Sequence, residues 1–219
     1  GMPYPENLNM VHEVEEIIRE NHAVPATIAV FDGVVKIGLS NAEVRNLSEK
    51  KDVIKLSRND LAYAISCRKT GATTVAATMI LAANANIKVF ATGGVGGVHL
   101  DAEKTFDVSA DLQELAQTPV TVISAGPKAI LDLPKTLQFL ETLGVPVITF
   151  GQDELPAFWS RSSGLRSPLR MNSAEEIARS QLVREALSIP GGQLVANPIP
   201  AYAEIPLKKI LPIIKKAHL

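Results

Sequence analysis

The chain has 219 residues, and its 22 lysine and arginine residues against 23 aspartate and glutamate residues give a formal net charge of −1. Because there is no excess of basic residues to neutralise phosphates, this composition excludes nucleic-acid binding driven by overall positive charge. The single cysteine excludes a disulfide framework and a multi-cysteine zinc site, and no apolar run approaches the roughly 20 residues that span a bilayer.

The first third of the chain predicts helices around a β-hairpin. Residues 1–7 have neither the basic nor the apolar segment of a signal peptide, so we expect a cytoplasmic protein or one of an organelle lumen, without a membrane partner. Two β-rich runs, 26–31 and 34–39, flank Asp32-Gly33, which is a strong hairpin signal. Hydrophobic periodicity and capping residues predict the other elements here: helices over 11–20, 42–48 and 61–69, and a strand over 53–56.

The rest of the chain alternates between helices and strands, with short glycine or proline breaks. Thr73 or Thr74 is expected to cap an alanine-rich helix that ends at Ala83, and Ser173 with Glu176 forms a capping box for a later helix. The remaining pattern predicts strands over 87–92, 119–124, 146–150 and 194–196, and helices over 112–116, 129–143 and 174–187.

Apolar strands that alternate with helices indicate a mostly parallel sheet covered on both faces, and the hairpin adds an antiparallel pair. The sequence shows no internal repeat and no low-complexity tract. We therefore predict one α/β domain over residues 1–219, built as a three-layer α/β/α sandwich with a mostly parallel mixed sheet.

A glycine-rich segment follows the predicted strand over 87–92. It reads Thr-Gly-Gly-Val-Gly-Gly-Val-His over residues 92–99. Ligands of open α/β sheets bind beyond the carboxyl ends of the strands, and glycines let successive backbone N–H groups approach an anion. Neither the phosphate-binding loop of nucleoside triphosphatases nor the dinucleotide fingerprint fits this spacing. Two interpretations stay open, a tight structural turn and a cradle for a sugar phosphate.

Side chains that could support chemistry cluster after this segment. His99 is either structural or faces an anion. The carboxylates that follow within a few residues either stabilise a helix N-terminus or hold Mg²⁺ or Mn²⁺; they are Asp101, Glu103, Asp107 and Asp111.

Two lysines stand at unusual positions. Lys128 is expected at the start of a helix, where a cation opposes the helix dipole, so it either points to water or is compensated by a phosphate, a carboxylate or a covalent role. A desolvated lysine there would be a competent Schiff-base nucleophile. Lys55 lies among apolar residues of a predicted strand and either faces inward toward a phosphate or carboxylate or lies on an edge strand. The irregular segment 151–170, which carries Phe158 and Trp159, is either a lid or an oligomer contact.

Several long strings resemble the pseudouridine-5′-phosphate glycosidase family. They cover nearly the whole chain and lie at residues 1–7, 71–79, 90–99, 105–115, 140–146 and 195–200. The resemblance implies an α/β/α fold, a homotrimer and a divalent metal, usually Mn²⁺. It also implies a small-molecule substrate: reversible cleavage of the C–C glycosidic bond of pseudouridine 5′-phosphate to uracil and ribose 5-phosphate.

The resemblance also assigns roles to residues by motif. Lys128 is implied to be the nucleophile that forms a covalent adduct with C1 of the ribose, and Asp107 is implied to hold the metal, largely through its water shell. His99 and Thr74 would lie near the phosphate. The residues implied to contact substrate are Lys55, Thr74, Val75, His99, Ser109, Ala110 and Asp111.

The chain departs from the family pattern in four places. It begins at the Gly-Met-Pro-Tyr-Pro motif, so we expect it to lack the N-terminal strand with the family's proton-donor glutamate, and it ends before the C-terminal helices with a uracil-contacting asparagine. Pro127 stands directly before Lys128 and restricts the backbone there, and Pro212 interrupts a C-terminal helix. Two other functions therefore stay open: a catalytically impaired sugar-phosphate-binding or oligomer-partner homologue, and another Schiff-base carbon–carbon lyase.

Overall fold

The computed structural model describes residues 2–218, except for the side chains of residues 215, 217 and 218. The chain divides into two compact units, Gly1–Ala85 and Asn86–Leu219, a division that the sequence pattern did not reveal. Each unit has its own sheet. The assignment of residues 1–219 to one domain stays a prediction.

The sheet of the first unit has four strands, with mixed pairing. In the order β2-β1-β4-β3, β1 pairs antiparallel with β2 and with β4, while β3 and β4 are parallel. The predicted hairpin is confirmed, with Phe31 opposite Val34 and both turn residues at positive φ. The strands are β1 (Ile28–Phe31), β2 (Val34–Ile37), β3 (Ile54–Leu56) and β4 (Gly71–Thr73).

Four helices complete this unit, and their starts follow from capping residues. Ser40 and Glu43 form a reciprocal capping box, and Thr74 rather than Thr73 caps the alanine-rich helix. That helix is buried over most of its length, as its small residues predict. The helices are α1 (Glu6–Glu20), α2 (Asn41–Glu49), α3 (Leu61–Ser66) and α4 (Val75–Asn84), with a short 3₁₀ turn at Arg58–Asp60.

The sheet of the second unit has five strands, all parallel, in the order β5-β6-β9-β7-β8. Its strands are β5 (Val89–Ala91), β6 (Thr121–Ser124), β7 (Val147–Phe150), β8 (Leu169–Met171) and β9 (Gln193–Ala196). Its helices are α5 (Ala102–Thr105), α6 (Ala110–Gln117), α7 (Leu133–Thr142), α8 (Ala174–Ala186) and α9 (Leu207–His218). Leu112, Leu140 and Leu194 are among its fully buried side chains.

The predicted α/β class with mostly parallel strands is confirmed, but the strands lie in two sheets rather than one. Among the strands of the two sheets, the antiparallel pairs are β1 with β2 and β1 with β4, both in the first unit. Strand pairing across long stretches of chain decides this division, and hydrophobic periodicity carries no information on which strands become neighbours.

Helix α7 begins at Leu133, four residues after the predicted start. Asp132 is its N-cap and accepts a hydrogen bond from the Lys135 backbone N–H at 3.0 Å, and Pro134 stands in the first turn. Lys128 therefore lies in a turn before the helix, and the prediction that it stands at a helix start is wrong.

The described part of the chain contains no helix of sufficient length and apolarity to cross a membrane.

We predict that Ser173→Ala lowers the free energy of unfolding by about 1 kcal/mol, the usual effect of losing an N-cap hydroxyl. Ser173 Oγ accepts the Glu176 backbone N–H at 3.1 Å, and Glu176 accepts the Ser173 backbone N–H at 3.2 Å. Urea unfolding measures the change. Ser180→Ala, a substitution inside the same helix, is the matched control and should shift stability by no more than about 0.5 kcal/mol. Equal losses in both variants would contradict the assigned cap.

Candidate functional site

The glycine segment continues the parallel pairing of β5 with β6 beyond both strands. The Thr92 N–H donates to the Ile123 carbonyl at 2.9 Å, the Ala125 N–H to the Gly93 carbonyl at 3.1 Å, and the Lys128 N–H to the Val95 carbonyl at 3.1 Å. The backbone of Lys128 is therefore fixed directly against the glycine segment.

The other end of the glycine segment pairs with the segment that carries Asp107. The His99 N–H donates to the Asp107 carbonyl and the Ser109 N–H to the Gly97 carbonyl, both at 3.0 Å, and Val98 forms an antiparallel bridge with Val108. Main-chain hydrogen bonds thus join three segments of the chain. They are the glycine segment with His99, the segment with Asp107 and Ser109, and the segment with Lys128.

Asp111 holds the middle of the glycine segment. Its carboxylate is almost fully buried and accepts the Gly96 backbone N–H at 2.9 Å. Ser109 caps α6, and its hydroxyl accepts the Asp111 N–H at 3.3 Å. A Cβ on Gly96 would overlap the Ser109 hydroxyl and approach the Asp111 carboxylate to 2.8 Å. The sequence left open whether the glycine segment is a tight structural turn or a sugar-phosphate cradle. At Gly96 the structure shows close structural packing.

His99 and Asp107 form a partly exposed pair beside this segment. The distance from His99 Nδ1 to Asp107 Oδ2 is 3.7 Å, and the side chains are 42% and 62% exposed. The pair is close enough for an electrostatic interaction when the imidazole is protonated, and both groups remain accessible to a ligand.

The neighbouring acidic residues have other partners. Glu103 pairs with Lys135 at 2.7 Å, and this hydrogen bond lowers the pKa of the Glu103 carboxyl. Lys135 also pairs with Asp132, and the hydrogen bonds that its amine donates to Glu103 and, second, to Asp132 raise the pKa of that amine. These exposed ion pairs join α5 to the start of α7. Asp101 pairs with Lys104 at 3.3 Å.

Within the described residues, no group of three or more histidine, cysteine, aspartate or glutamate side chains could enclose a metal ion. A cage made of protein ligands therefore does not fit. Asp107 fits a weaker role, because an exposed carboxylate can accept hydrogen bonds from the water shell that Mg²⁺ and similar ions retain.

The Lys128 side chain is exposed, and its amine has no hydrogen bond or ion pair with the residues that the structure describes. Of the alternatives that the sequence left open for Lys128, the single chain shows a side chain that points to water. An amine without a protein partner is nevertheless free to react with a bound carbonyl carbon.

Lys55, Thr74 and Val75 lie in the first unit. Lys55 is exposed on β3, an edge strand, so the inward-facing alternative is wrong. Thr74 caps α4 and Val75 is buried as its first residue, so a ligand could reach Val75 only through its backbone N–H. Their contacts with substrate stay predictions.

The second unit also contains a cavity of about 450 Å³ that the sequence analysis did not identify. It opens at the carboxyl ends of β5, β6 and β9, where open α/β sheets bind ligands. Thr92, Ser124, Trp159 and Asn197 contribute to its lining. Thr92 directly follows β5 and Asn197 directly follows β9. This position after a strand is the sequence signal that could have identified both residues.

The comparisons with known proteins agree over the full chain. The sequence profile of the family described as indigoidine synthase A like protein matches residues 1–219. The pseudouridine-5′-phosphate glycosidase of Jannaschia sp. (strain CCS1) is 63% identical over 218 residues, which are 100% of this chain and 72% of that protein. The enzyme of the same name from Paracoccus denitrificans (strain Pd 1222) is 60% identical, over 99% of this chain and 72% of that protein.

The chain belongs to the pseudouridine-5′-phosphate glycosidase family. The resemblance seen in the sequence is thereby confirmed. An indigoidine synthase A-like protein from Thermotoga maritima has a TM-score of 0.92 at 32% identity, covering 99% of this chain and 72% of its own. The prealnumycin C-glycosynthase AlnA, solved with ribulose 5-phosphate, has a TM-score of 0.89 at 32% identity, covering 99% and 74%.

We predict that Gly96→Ala destabilises the second unit by about 1–3 kcal/mol, the usual cost of overpacking, because the added methyl group overlaps Ser109. Gly93→Ala is the matched control, since a Cβ there meets only the Phe158 ring at 3.9 Å. Urea unfolding followed by far-UV circular dichroism compares the two variants. Similar stability of both would show that the close packing at Gly96 is unimportant.

Proposed function

We propose that this chain reversibly cleaves the C–C glycosidic bond of pseudouridine 5′-phosphate, giving uracil and ribose 5-phosphate. The observation that supports this most strongly is the 63% identity, over the full length of this chain, to a glycosidase named for that substrate. The structural neighbour solved with ribulose 5-phosphate supports a pentose monophosphate as the sugar part.

Lys128 is proposed as the nucleophile. Its amine forms a C–N bond to C1′ of the ribose while the bond from C1′ to the ring oxygen breaks and that oxygen takes up a proton. Protonation of uracil at C5 then lets the C1′–C5 bond break; its electron pair returns to the uracil ring, and the lysine nitrogen forms a C=N bond to C1′. Hydrolysis of this Schiff base releases ribose 5-phosphate and restores the amine.

The groups around the glycine segment have separate proposed tasks. His99 lies within 3.7 Å of Asp107 and, when protonated, supplies positive charge for the phosphate. Ser109, Ala110 and Asp111 form the first turn of α6 and its cap, where backbone N–H groups favour an anionic ligand. The Asp111 carboxylate keeps the Gly96 N–H in place.

A divalent cation, Mn²⁺ by preference, is proposed to be held by Asp107 through water molecules. When bound it would supply positive charge near the sugar phosphate. A homotrimeric assembly and a cytoplasmic location remain predictions from the sequence.

One alternative is favoured by a specific observation. Because Lys128 is exposed, its amine retains its hydration, which favours a homologue that binds a sugar phosphate without forming the covalent adduct.

We predict that borohydride treatment with ribose 5-phosphate leaves a covalent adduct on the chain, and that Lys128→Ala abolishes it without unfolding the protein. Intact-mass spectrometry and peptide mapping read the adduct. Lys104→Ala, which removes another exposed lysine of the same unit, is the matched control and should keep full labelling.

Labelling that persists in Lys128→Ala would show that the nucleophile is wrongly assigned. Binding of ribose 5-phosphate without an adduct in the unaltered chain would favour the binding-only homologue. An adduct without a product that depends on uracil would indicate another Schiff-base lyase.

We predict that Asp107→Ala raises the Mn²⁺ concentration needed for half-maximal turnover at least about tenfold, as loss of an outer-shell partner usually does. Initial rates of uracil release across a Mn²⁺ titration measure it. Asp101→Ala removes a nearby exposed carboxylate that pairs with Lys104 and should leave the titration unchanged. An unaltered midpoint in Asp107→Ala would remove Asp107 from the metal site.

A further inference from the structure

Another cavity of the second unit lies along helix α8 beside β8, the edge strand at the opposite end of the sheet from β5. Its volume is about 610 Å³, which is in the range of small-molecule sites. We call this cavity the α8 groove. Its lining residues on α8 lie three or four positions apart and therefore form one stripe along a single face of the helix. The stripe consists of Glu176, Arg179, Ser180, Val183, Arg184 and Leu187.

The α8 groove carries an excess of positive charge. Three arginines and one glutamate line it. The glutamate, Glu176, is held in the capping box at the start of α8. Arg170 pairs with Asp153 at 3.1 Å, outside the stripe. Arg179 is exposed and forms no ion pair with the residues that the structure describes, so its charge is available to a ligand.

Arg184, the third arginine of the groove, is partly buried without a counter-charge. Its Nη2 donates to the Pro190 carbonyl at 2.7 Å. Its Nε is buried and has no hydrogen-bond acceptor among the described residues. Burial lowers the pKa of the Arg184 guanidinium, because no carboxylate of the described chain offsets the loss of water. A guanidinium in this state is stabilised when an anion binds beside it.

The other end of the α8 groove is apolar. Val183, Leu187 and Ile189 line it and are 49%, 65% and 42% exposed. Contiguous exposed apolar surface of this kind marks an interaction site. Leu187 follows Arg179 by eight positions on α8, a distance of about 12 Å along the helix axis at 1.5 Å per residue. A ligand that fits the groove therefore has an anionic head and an apolar body of about this length.

We propose that the α8 groove binds an amphiphilic carboxylate, with the carboxylate at Arg179 and Arg184 and an unbranched apolar tail along Val183 and Leu187. A saturated chain of roughly ten carbons matches the length of the stripe, about 12 Å. The proposal goes beyond the proposed reaction and does not depend on it, because none of the residues assigned to that reaction lines the groove.

The first experiment measures binding of radiolabelled decanoate by equilibrium dialysis, below the concentration at which decanoate forms micelles. We expect saturable binding of one decanoate per chain. Decanol keeps the tail without the charge, and butyrate keeps the charge with a short tail, so both should compete at least about tenfold more weakly than unlabelled decanoate. Absence of saturable binding, or competition by decanol as strong as that by decanoate, would overturn the proposal.

Variants at each end of the groove make this result specific. Arg179→Gln should weaken decanoate binding at least about tenfold, the effect of losing a charge-assisted hydrogen bond, and Leu187→Ala should weaken it about three- to tenfold through lost apolar contact. Both side chains are exposed, so the fold does not depend on them. Arg45→Gln, in helix α2 of the first unit, is the matched control and should leave the affinity unchanged. Equal affinities in Arg179→Gln and Arg45→Gln would contradict the assigned head-group site.

The second experiment tests the other possible occupants of the groove, a second copy of the chain and a lipid surface. Light scattering measures the molar mass with and without decanoate, and sedimentation with phosphatidylglycerol vesicles measures membrane binding. We expect a molar mass that decanoate does not change and no sedimentation with vesicles. A fall in molar mass when decanoate binds would assign the groove to a second copy. Sedimentation that Arg179→Gln abolishes would assign it to a membrane, and either result would overturn the proposal.

Discussion

The backbone hydrogen bonds between β5 and β6 continue beyond the ends of both strands, into the glycine segment and the residues up to Lys128. The candidate site depends on this extension of the hydrogen-bond ladder. It runs from Thr92 to Lys128 and then passes to the segment that carries Asp107. Because buried backbone N–H and C=O groups must be paired, the glycine segment and the backbone of Lys128 keep one register. The tight contacts at Gly94 and Gly96 follow, since the neighbouring segments leave no room for a side chain.

This ladder separates two chemical environments within one unit. The free amine of Lys128 and the pair of His99 with Asp107 lie toward its far end, whereas the uncharged cavity lies at its start. A substrate that joins an anionic sugar phosphate to a neutral ring has the same division. This division supports the proposed pseudouridine 5′-phosphate substrate.

Local signals explain the parts of the fold that could be predicted. The Asp32-Gly33 hairpin and the capping box at Ser173 depend on neighbouring residues, and both are present. Strands β4 and β8 and helix α5 have only three or four residues each, too few to show a periodicity, and the sequence analysis did not identify them. The start of α7 was misplaced because apolar residues before Asp132 resemble a first helical turn.

The sequence by itself determined the type of most elements, the charge balance and, through its long motifs, the family and the candidate residues Lys128, Asp107 and His99. Only the tertiary structure decided that the strands form two sheets, that Lys128 is exposed and that Asp111 is bound to Gly96. It alone revealed the cavity beside Trp159. The reason is physical: these features arise from hydrogen bonds and packing between residues far apart in the chain, whereas propensity and periodicity report only on near neighbours.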